Sequence, residues 1–162
     1  MIKVILVDDE KHALDAMRDV LSKFEQIDIT AEFTNPLEAI TYCSSADVDA
    51  VFLDMEMPGL KGLQAAEKLQ EICDAEIVFV TAYDQYAMEA FEVHAVDYLL
   101  KPAGRKRVAK LVERMERLAV IKRLQLAEAA AAVQQVRDEQ HVPICTVNCL
   151  GRFEVIVQSS EG

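Results

Sequence analysis

The sequence contains no run of about eighteen apolar residues and no basic segment followed by an apolar one near its start. These absences exclude the usual patterns of a transmembrane helix and of a secretory leader, so we expect a soluble, cytoplasmic protein with no membrane attachment. Basic residues are also scarce, with 17 Lys and Arg against 28 Asp and Glu. The resulting net charge of −11 argues against non-specific binding of nucleic acid by this chain.

Cysteine is sparse as well, and none of the four cysteines belongs to a C-x-x-C pair, which argues against a zinc site. Cys145 and Cys149 would lie too far apart along one face of a strand to form a disulfide. We interpret them, together with Cys43 and Cys73, as small apolar residues in a reducing compartment.

What the sequence does contain is a regular alternation of short apolar segments and amphipathic segments. The composition, 52% apolar and 28% charged, is typical of a globular chain that is long enough for one domain and an appendage. Strands alternating with helices at this spacing predict an α/β fold, a doubly wound parallel sheet with helices on both faces. The predicted strands are residues 2–7, 28–34, 50–54, 76–81 and 96–100, and the predicted helices are residues 11–24, residues 36–44, a segment that begins near Leu63 and one that follows Asp84.

A long helix is predicted from about residue 104 to residue 137, because nothing in that stretch breaks a helix. Val108, Leu111, Met115 and Leu118 follow a seven-residue repeat that is then interrupted. Two interpretations remain open, a coiled coil or a terminal helix that packs on the sheet and then continues into solvent. The basic residues of this helix are interleaved with glutamates, which favours a solvated face over a nucleic-acid site.

The last part of the sequence changes character again. Residues 138–143 form a polar break, and two short strand-like segments joined by a tight turn follow it. A lone two-stranded hairpin is marginal in water, so we interpret residues 141–162 as a fragment of a C-terminal effector domain. The predicted organisation is a domain of residues 1–120, a helical linker of residues 121–140, and this fragment.

Reactive side chains stand where the predicted strands end. Asp8 and Asp9 follow the first strand, Asp54 ends the third, Thr81 ends the fourth, and Lys101 follows the fifth. The carboxyl ends of parallel strands meet at one edge of the sheet, and function collects there near the point where the strand order reverses. If the first and third strands are neighbours, three carboxylates meet in one pocket beside a hydroxyl and an ammonium group.

This set of side chains predicts phosphoryl chemistry assisted by a metal. Crowded carboxylates raise one another's pKa, and a hard divalent cation such as Mg²⁺ removes that repulsion. A carboxylate can also act as a nucleophile toward phosphorus and form an acyl phosphate. We expect Mg²⁺ to bridge Asp9, Asp54 and the phosphoryl oxygens, while Lys101 neutralises another oxygen and Thr81 donates a hydrogen bond to a third.

The chain resembles the receiver domain of bacterial two-component response regulators over residues 1 to about 120. The matching motifs are ILVDDE, LDMEMPGLKG, FVTAYDQYAMEAF and DYLLKP. The resemblance implies a flavodoxin-like fold with strand order 2-1-3-4-5. It also implies Asp54 as the phosphoacceptor, Asp8 and Asp9 as the acidic pair, and Glu56 as a metal contact through its backbone carbonyl.

The resemblance further implies how such a domain switches. Thr81 and Tyr98 are the implied switch pair: a phosphoryl group draws the Thr81 hydroxyl toward it and vacates space for the Tyr98 ring. Lys101 is the implied phosphoryl-contacting lysine, and the bond between Lys101 and Pro102 is a candidate cis peptide. The phosphodonor would be a separate sensor histidine kinase, so we expect His12 to be an exposed helix residue, and His94 and His141 are assigned no role.

Two weaker resemblances concern the effector. The stretch TAYDQYAMEAFEVHAVDYLLKP is similar to receivers that carry LytTR-type effectors, whereas CTVNCLGRFEVIV resembles the start of the winged-helix domain in antibiotic-regulatory-protein-type activators. Either implies a transcription regulator that binds DNA only through a missing remainder of the C-terminal domain. Phosphorylation is expected to favour a homodimer.

Two alternatives to a phosphorylation-switched signalling module remain. A haloacid-dehalogenase-like phosphatase would need a second Asp two residues beyond the nucleophile, where this sequence has Glu56, and no cap insertion is visible. A phosphorylation-independent dimerisation module would show the same oligomeric state with and without a phosphoryl group. We therefore expect the chain to be a phosphoacceptor rather than an enzyme acting on a separate substrate.

Overall fold

The computed structural model describes residues 1–83 and 93–139, and the side chains as far as residue 133. The helix predicted after Asp84 and the hairpin predicted in residues 141–162 lie outside the described residues. The strands are β1 (Ile2–Val7), β2 (Ile27–Phe33), β3 (Ala50–Leu53), β4 (Glu76–Thr81) and β5 (Asp97–Leu100), and the helices are α1 (Lys11–Leu21), α2 (Pro36–Cys43), α3 (Gly62–Ile72) and α4 (Arg105–Glu139).

The five strands form one parallel sheet in the order β2-β1-β3-β4-β5, so the predicted fold class and strand order are confirmed. The order reverses at β1, which has β2 on one side and β3 on the other. Val7 pairs with Leu53 in the register of β1 and β3. The residues that follow these two strands therefore emerge side by side at the carboxyl edge of the sheet.

Apolar side chains fill both faces of the sheet. One core cluster packs α2 and α3 against the sheet, with Ala39 and Leu69 as buried members. The other packs α1 and the start of α4 against the opposite face. Because helices cover both faces of the sheet, the side chains on both faces of β1, β3 and β4 are buried. This explains why these strands are almost continuously apolar.

The start of α4 belongs to the second core cluster. Val108, Leu111 and Met115 are buried there and Leu118 packs against them, so the interpretation that this part of the helix packs on the sheet is confirmed. Contacts divide the chain into units of Met1–Val120 and Ile121–Gly162. Within residues 121–133 of the second unit the large apolar side chains are exposed, and a coiled coil there stays a prediction.

A local signal sets the start of α2 but not the end of α1. The side chain of Asn35 accepts a hydrogen bond from the backbone N–H of Leu37 at 3.0 Å and caps α2, as the Asn-Pro pair predicts. Helix α1 ends at Leu21, three residues before its predicted end. Phe24 donates its backbone N–H to Leu21 at 3.0 Å in a turn that leads directly into β2, while its side chain still packs on the core.

Candidate functional site

Three carboxylates meet at the carboxyl edge of the sheet. Asp8 and Asp54 follow the paired residues Val7 and Leu53, and the backbone N–H of Asp54 donates to the carbonyl of Val7 at 2.9 Å. One carboxylate oxygen from each of Asp8, Asp9 and Asp54 lies within 4.8 Å of the other two. Asp8 and Asp54 are buried, whereas Asp9 is exposed. We call these three residues the acid cluster.

Lys101 supplies the nearest positive charge. Its Nζ lies 2.6 Å from Asp8 Oδ2 and 3.3 Å from Asp54 Oδ2. The residue follows β5, and its backbone N–H donates to the carbonyl of Thr81 at 2.8 Å, which fixes the start of the side chain at the sheet edge. The peptide bond between Lys101 and Pro102 is cis, as the resemblance implied.

Burial governs the ionisation of this site. Burial raises the pKa of Asp54, the nearby charge of Lys101 lowers it, and Asp8 raises it again, so the pKa is raised on balance. Burial lowers the pKa of Lys101, but its contacts with Asp8 and Asp54 outweigh that effect and raise the pKa. Three carboxylates lie beside one ammonium group, and such an excess of carboxylate oxygens favours binding of a divalent cation.

Gly62 allows the loop after Asp54 to close tightly. The Gly62 N–H donates to the carbonyl of Met55 at 2.9 Å, and the Met55 N–H donates to Asp54 Oδ1 at 2.8 Å. A Cβ on Gly62 would lie 2.2 Å from the backbone oxygen of Asp54. This requirement was not predicted from the motif LDMEMPGLKG, although a glycine as the first residue of a helix was an available signal.

Tyr83 joins the two candidate switch residues, and no sequence motif had indicated this role. Thr81 is fully buried, and its Oγ1 accepts the backbone N–H of Tyr83 at 3.4 Å. The hydroxyl of Tyr98 donates to the carbonyl of Tyr83. Thr81 and Tyr98 are thus linked through the backbone of Tyr83.

The remaining candidates are placed differently. The Glu56 carboxylate lies 3.8 Å from Lys61 Nζ, and the metal contact through the Glu56 carbonyl stays a prediction. His12 is exposed on the first turn of α1, as expected, and His94 is exposed with a φ of 51°. His141 lies outside the described residues. In the described part of the chain, the acid cluster is the one group of three or more potential ligands that could hold a metal ion.

Helices in the described part of the chain include none that is both long enough and apolar enough to cross a membrane.

Comparison with known protein families gives a clear match. The family model of the response regulator receiver domain matches residues 4–113. An uncharacterized response regulatory protein of Yersinia pestis is 47% identical over 122 residues, which are 75% of this chain and 51% of that protein. The transcriptional regulatory protein BtsR of Salmonella typhi is 44% identical over 115 residues, 71% of this chain and 48% of that protein. The chain thus spans about half the length of these curated relatives.

Solved structures agree with the sequence comparison. The response regulatory domain of mrkE from Klebsiella pneumoniae matches with a TM-score of 0.67 and 32% identity, covering 72% of this chain and 97% of that one. The response regulator TrrA from Thermotoga maritima, solved in complex with Mg²⁺ and BeF, matches with a TM-score of 0.63 and 29% identity, covering 71% of this chain and 99% of that one.

Proposed function

This chain belongs to the response regulator receiver domain family, and we propose that it accepts a phosphoryl group on Asp54 from a sensor histidine kinase. The observation that carries the proposal is the position of Asp54. It is a buried carboxylate at the carboxyl end of a central strand, within the acid cluster and 3.3 Å from an ammonium group. An isolated buried carboxylate would be costly, and this grouping is what transfer of a phosphoryl group to a carboxylate requires.

The proposed transfer forms one bond and breaks one. A carboxylate oxygen of Asp54 attacks the phosphorus of a phosphohistidine and the P–N bond breaks. The leaving imidazole nitrogen keeps the electron pair and takes a proton from water, so the products are an aspartyl phosphate and a free imidazole. Lys101 contacts the phosphoryl oxygens in this proposal, because its Nζ already lies between Asp8 and Asp54. In the same proposal, the Thr81 hydroxyl donates a hydrogen bond to another of these oxygens.

The acid cluster fits a hard divalent cation. Asp8, Asp9 and Asp54 with the carbonyl of Glu56 would hold Mg²⁺, since carboxylate and carbonyl oxygens are its usual protein ligands. When bound, Mg²⁺ supplies charge neutralisation for the acids and the transferred group. The similar structure from Thermotoga maritima was solved with Mg²⁺ and BeF, which supports this choice.

The proposed output is a change of surface that controls an attached effector. Thr81 and Tyr98 act as the switch pair, and phosphorylation favours a homodimer that the long helix extends. The relative named as a transcriptional regulatory protein supports DNA binding through a domain beyond this chain. In this proposal residues 1–120 are the cytoplasmic phosphoacceptor, residues 121–140 the linker and residues 141–162 the start of the effector.

The test is the intact mass of the full chain after incubation with a small acyl phosphate and Mg²⁺. We expect the parent to gain one phosphoryl group, and we expect no gain with Asp54→Ala or when a chelator removes the metal. If the folded parent takes up nothing with Mg²⁺ in excess, the acids are structural, and a phosphorylation-independent dimerisation module becomes the better account.

A further inference from the structure

An ion pair joins β5 to the first turn of the long helix. Arg107 Nη1 donates to Asp97 Oδ2 at 2.9 Å, and Arg107 Nη2 donates to Asp97 Oδ1. We call Asp97 and Arg107 the latch. Two parallel hydrogen bonds fix the orientation of a guanidinium group as well as its distance, which a lysine could not do.

The latch also contacts the backbone of the candidate switch tyrosine on both sides. The N–H of Tyr98 donates to Asp97 Oδ1 at 2.8 Å, and Arg107 Nη2 donates to the carbonyl of Tyr98 at 3.5 Å. The backbone of Tyr98 therefore cannot shift without disturbing the pair that anchors β5 to α4.

These contacts complete a continuous path from the acid cluster to the long helix. Thr81 is the end of this path that lies nearest the acid cluster, and its hydroxyl oxygen accepts a hydrogen bond from the Tyr83 N–H. The Tyr83 carbonyl in turn accepts a hydrogen bond from the Tyr98 hydroxyl. Beyond Tyr98, the latch leads to Arg107, which lies on the first turn of α4. The helix then continues without interruption to Glu139.

We infer that Arg107, held by Asp97, is a positioning residue that couples phosphorylation of Asp54 to the start of α4 by holding the backbone of Tyr98. This inference rests on the proposed function and extends it to two residues outside the site. Arg107 touches neither Asp54 nor the acid cluster, so its loss should leave the chemistry intact while weakening the response of Tyr98.

The experiment measures phosphoryl uptake and the response of Tyr98 separately, in the full chain labelled with 3-fluorotyrosine. Intact mass reports phosphoryl uptake from a small acyl phosphate with Mg²⁺. Fluorine NMR reports the four tyrosines, and Tyr98→Phe assigns the signal of interest. Arg107→Ala and Asp97→Ala break the latch, because they remove the ion pair and the contacts that it makes with the Tyr98 backbone. Arg105→Ala is the control, because Arg105 is exposed on the same turn of α4.

We expect all variants to take up phosphoryl at rates within about twofold of the parent. In the parent and the Arg105 control, phosphorylation should move the Tyr98 signal. In each single latch variant that shift should fall to less than half. A latch that merely stabilised the fold would not change the Tyr98 response selectively while phosphoryl uptake stays normal.

The outcomes that overturn the inference are distinct from those that overturn the proposed function. A full Tyr98 shift in both single variants, or a parent that takes up phosphoryl with no shift, refutes the coupling role alone. A parent that takes up no phosphoryl refutes the proposed function, and the coupling role falls with it.

Discussion

The acid cluster with Lys101 and the latch both pair carboxylates with a cation, but they lie at opposite ends of β5 and differ in the exposure of that cation. The side chains of Asp8 and Asp54 are each 8% exposed and that of Lys101 is 21% exposed, whereas in the latch Asp97 is 11% exposed and Arg107 is 50% exposed. Charges removed from water interact strongly and shift each other's ionisation, whereas exposed pairs contribute little net stability. The buried group is therefore suited to chemistry, and the latch to geometry.

The largest effect is expected at the acid cluster, on the rate of phosphoryl uptake. Lys101→Ala leaves Asp8 and Asp54 without their nearest cation, and phosphoryl uptake should slow about 10²-fold, the usual cost of removing one preorganised charge from such a site. The rate of mass gain with Mg²⁺ present measures it. Lys61→Ala is the matched control, since Lys61 is an exposed lysine 3.8 Å from Glu56. Equal rates for the two variants would remove the special role of Lys101.

The backbone beneath the acid cluster should be almost as sensitive. In Gly62→Ala the new Cβ would lie 2.2 Å from the Asp54 oxygen and 2.7 Å from Met55 Cα, both backbone atoms. We expect a loss of about 1–3 kcal/mol in the free energy of unfolding, the usual cost of overpacking. Urea denaturation measures it.

Gly104→Ala serves as the control for that substitution, because a Cβ there meets nothing within 4 Å. It should lower the free energy of unfolding by less than about 1 kcal/mol, because alanine before the first turn of α4 is only a poorer N-cap than glycine. A Gly62→Ala variant as stable as this control would contradict the close approach at Asp54.

Neutralising the buried acid should stabilise the metal-free protein. Folding raises the pKa of Asp54, so the native state holds the proton more tightly than the unfolded chain, and ionisation of Asp54 destabilises the fold as pH rises. Asp54→Asn should therefore melt a few degrees higher than the parent near neutral pH. This advantage should shrink as pH falls toward the ordinary value of 3.8.

Excess Mg²⁺ sharpens the same prediction. Because the cation binds the native acid cluster, it should raise the melting temperature of the parent more than that of Asp54→Asn. An Asp54→Asn variant that melts below the parent in metal-free buffer at neutral pH would show that ionised Asp54 does not destabilise the fold.

The smallest effect on stability is expected at the latch. Arg107→Ala removes the half-exposed member of the latch and should lower the free energy of unfolding by about 1 kcal/mol, because water screens a guanidinium group that is 50% exposed. Urea denaturation beside Lys101→Ala compares the two regions directly. A loss of several kcal/mol would show that the latch is structural, and the comparison between buried and exposed groups would then fail.

Most of the fold follows from patterns that are local in sequence. The strands were predictable to within a residue or two because buried parallel strands are continuously apolar, as in β1 and β4. The end of α1 was not, since a turn that ends at Phe24 competes with a helical pattern that continues through it.

The site divides in the same way. Asp54 and Lys101 were predictable as candidates because each stands at the end of a strand, and the topology of parallel sheets brings such ends together. Tyr83 and Arg107 were missed, because their roles depend on contacts with Tyr98 from distant positions in the chain. A pattern of neighbouring residue types carries no signal for such contacts.

The most direct test of the central claim is to locate the phosphoryl group on the chain. Borohydride reduces an acyl phosphate to the alcohol, so a phosphorylated aspartate becomes homoserine, which peptide mass spectrometry can place. We predict homoserine at position 54 after treatment with an acyl phosphate and Mg²⁺, and none without the phosphodonor. Homoserine at Asp8 or Asp9 instead of Asp54, or at no position in a folded protein with Mg²⁺ in excess, would contradict the account.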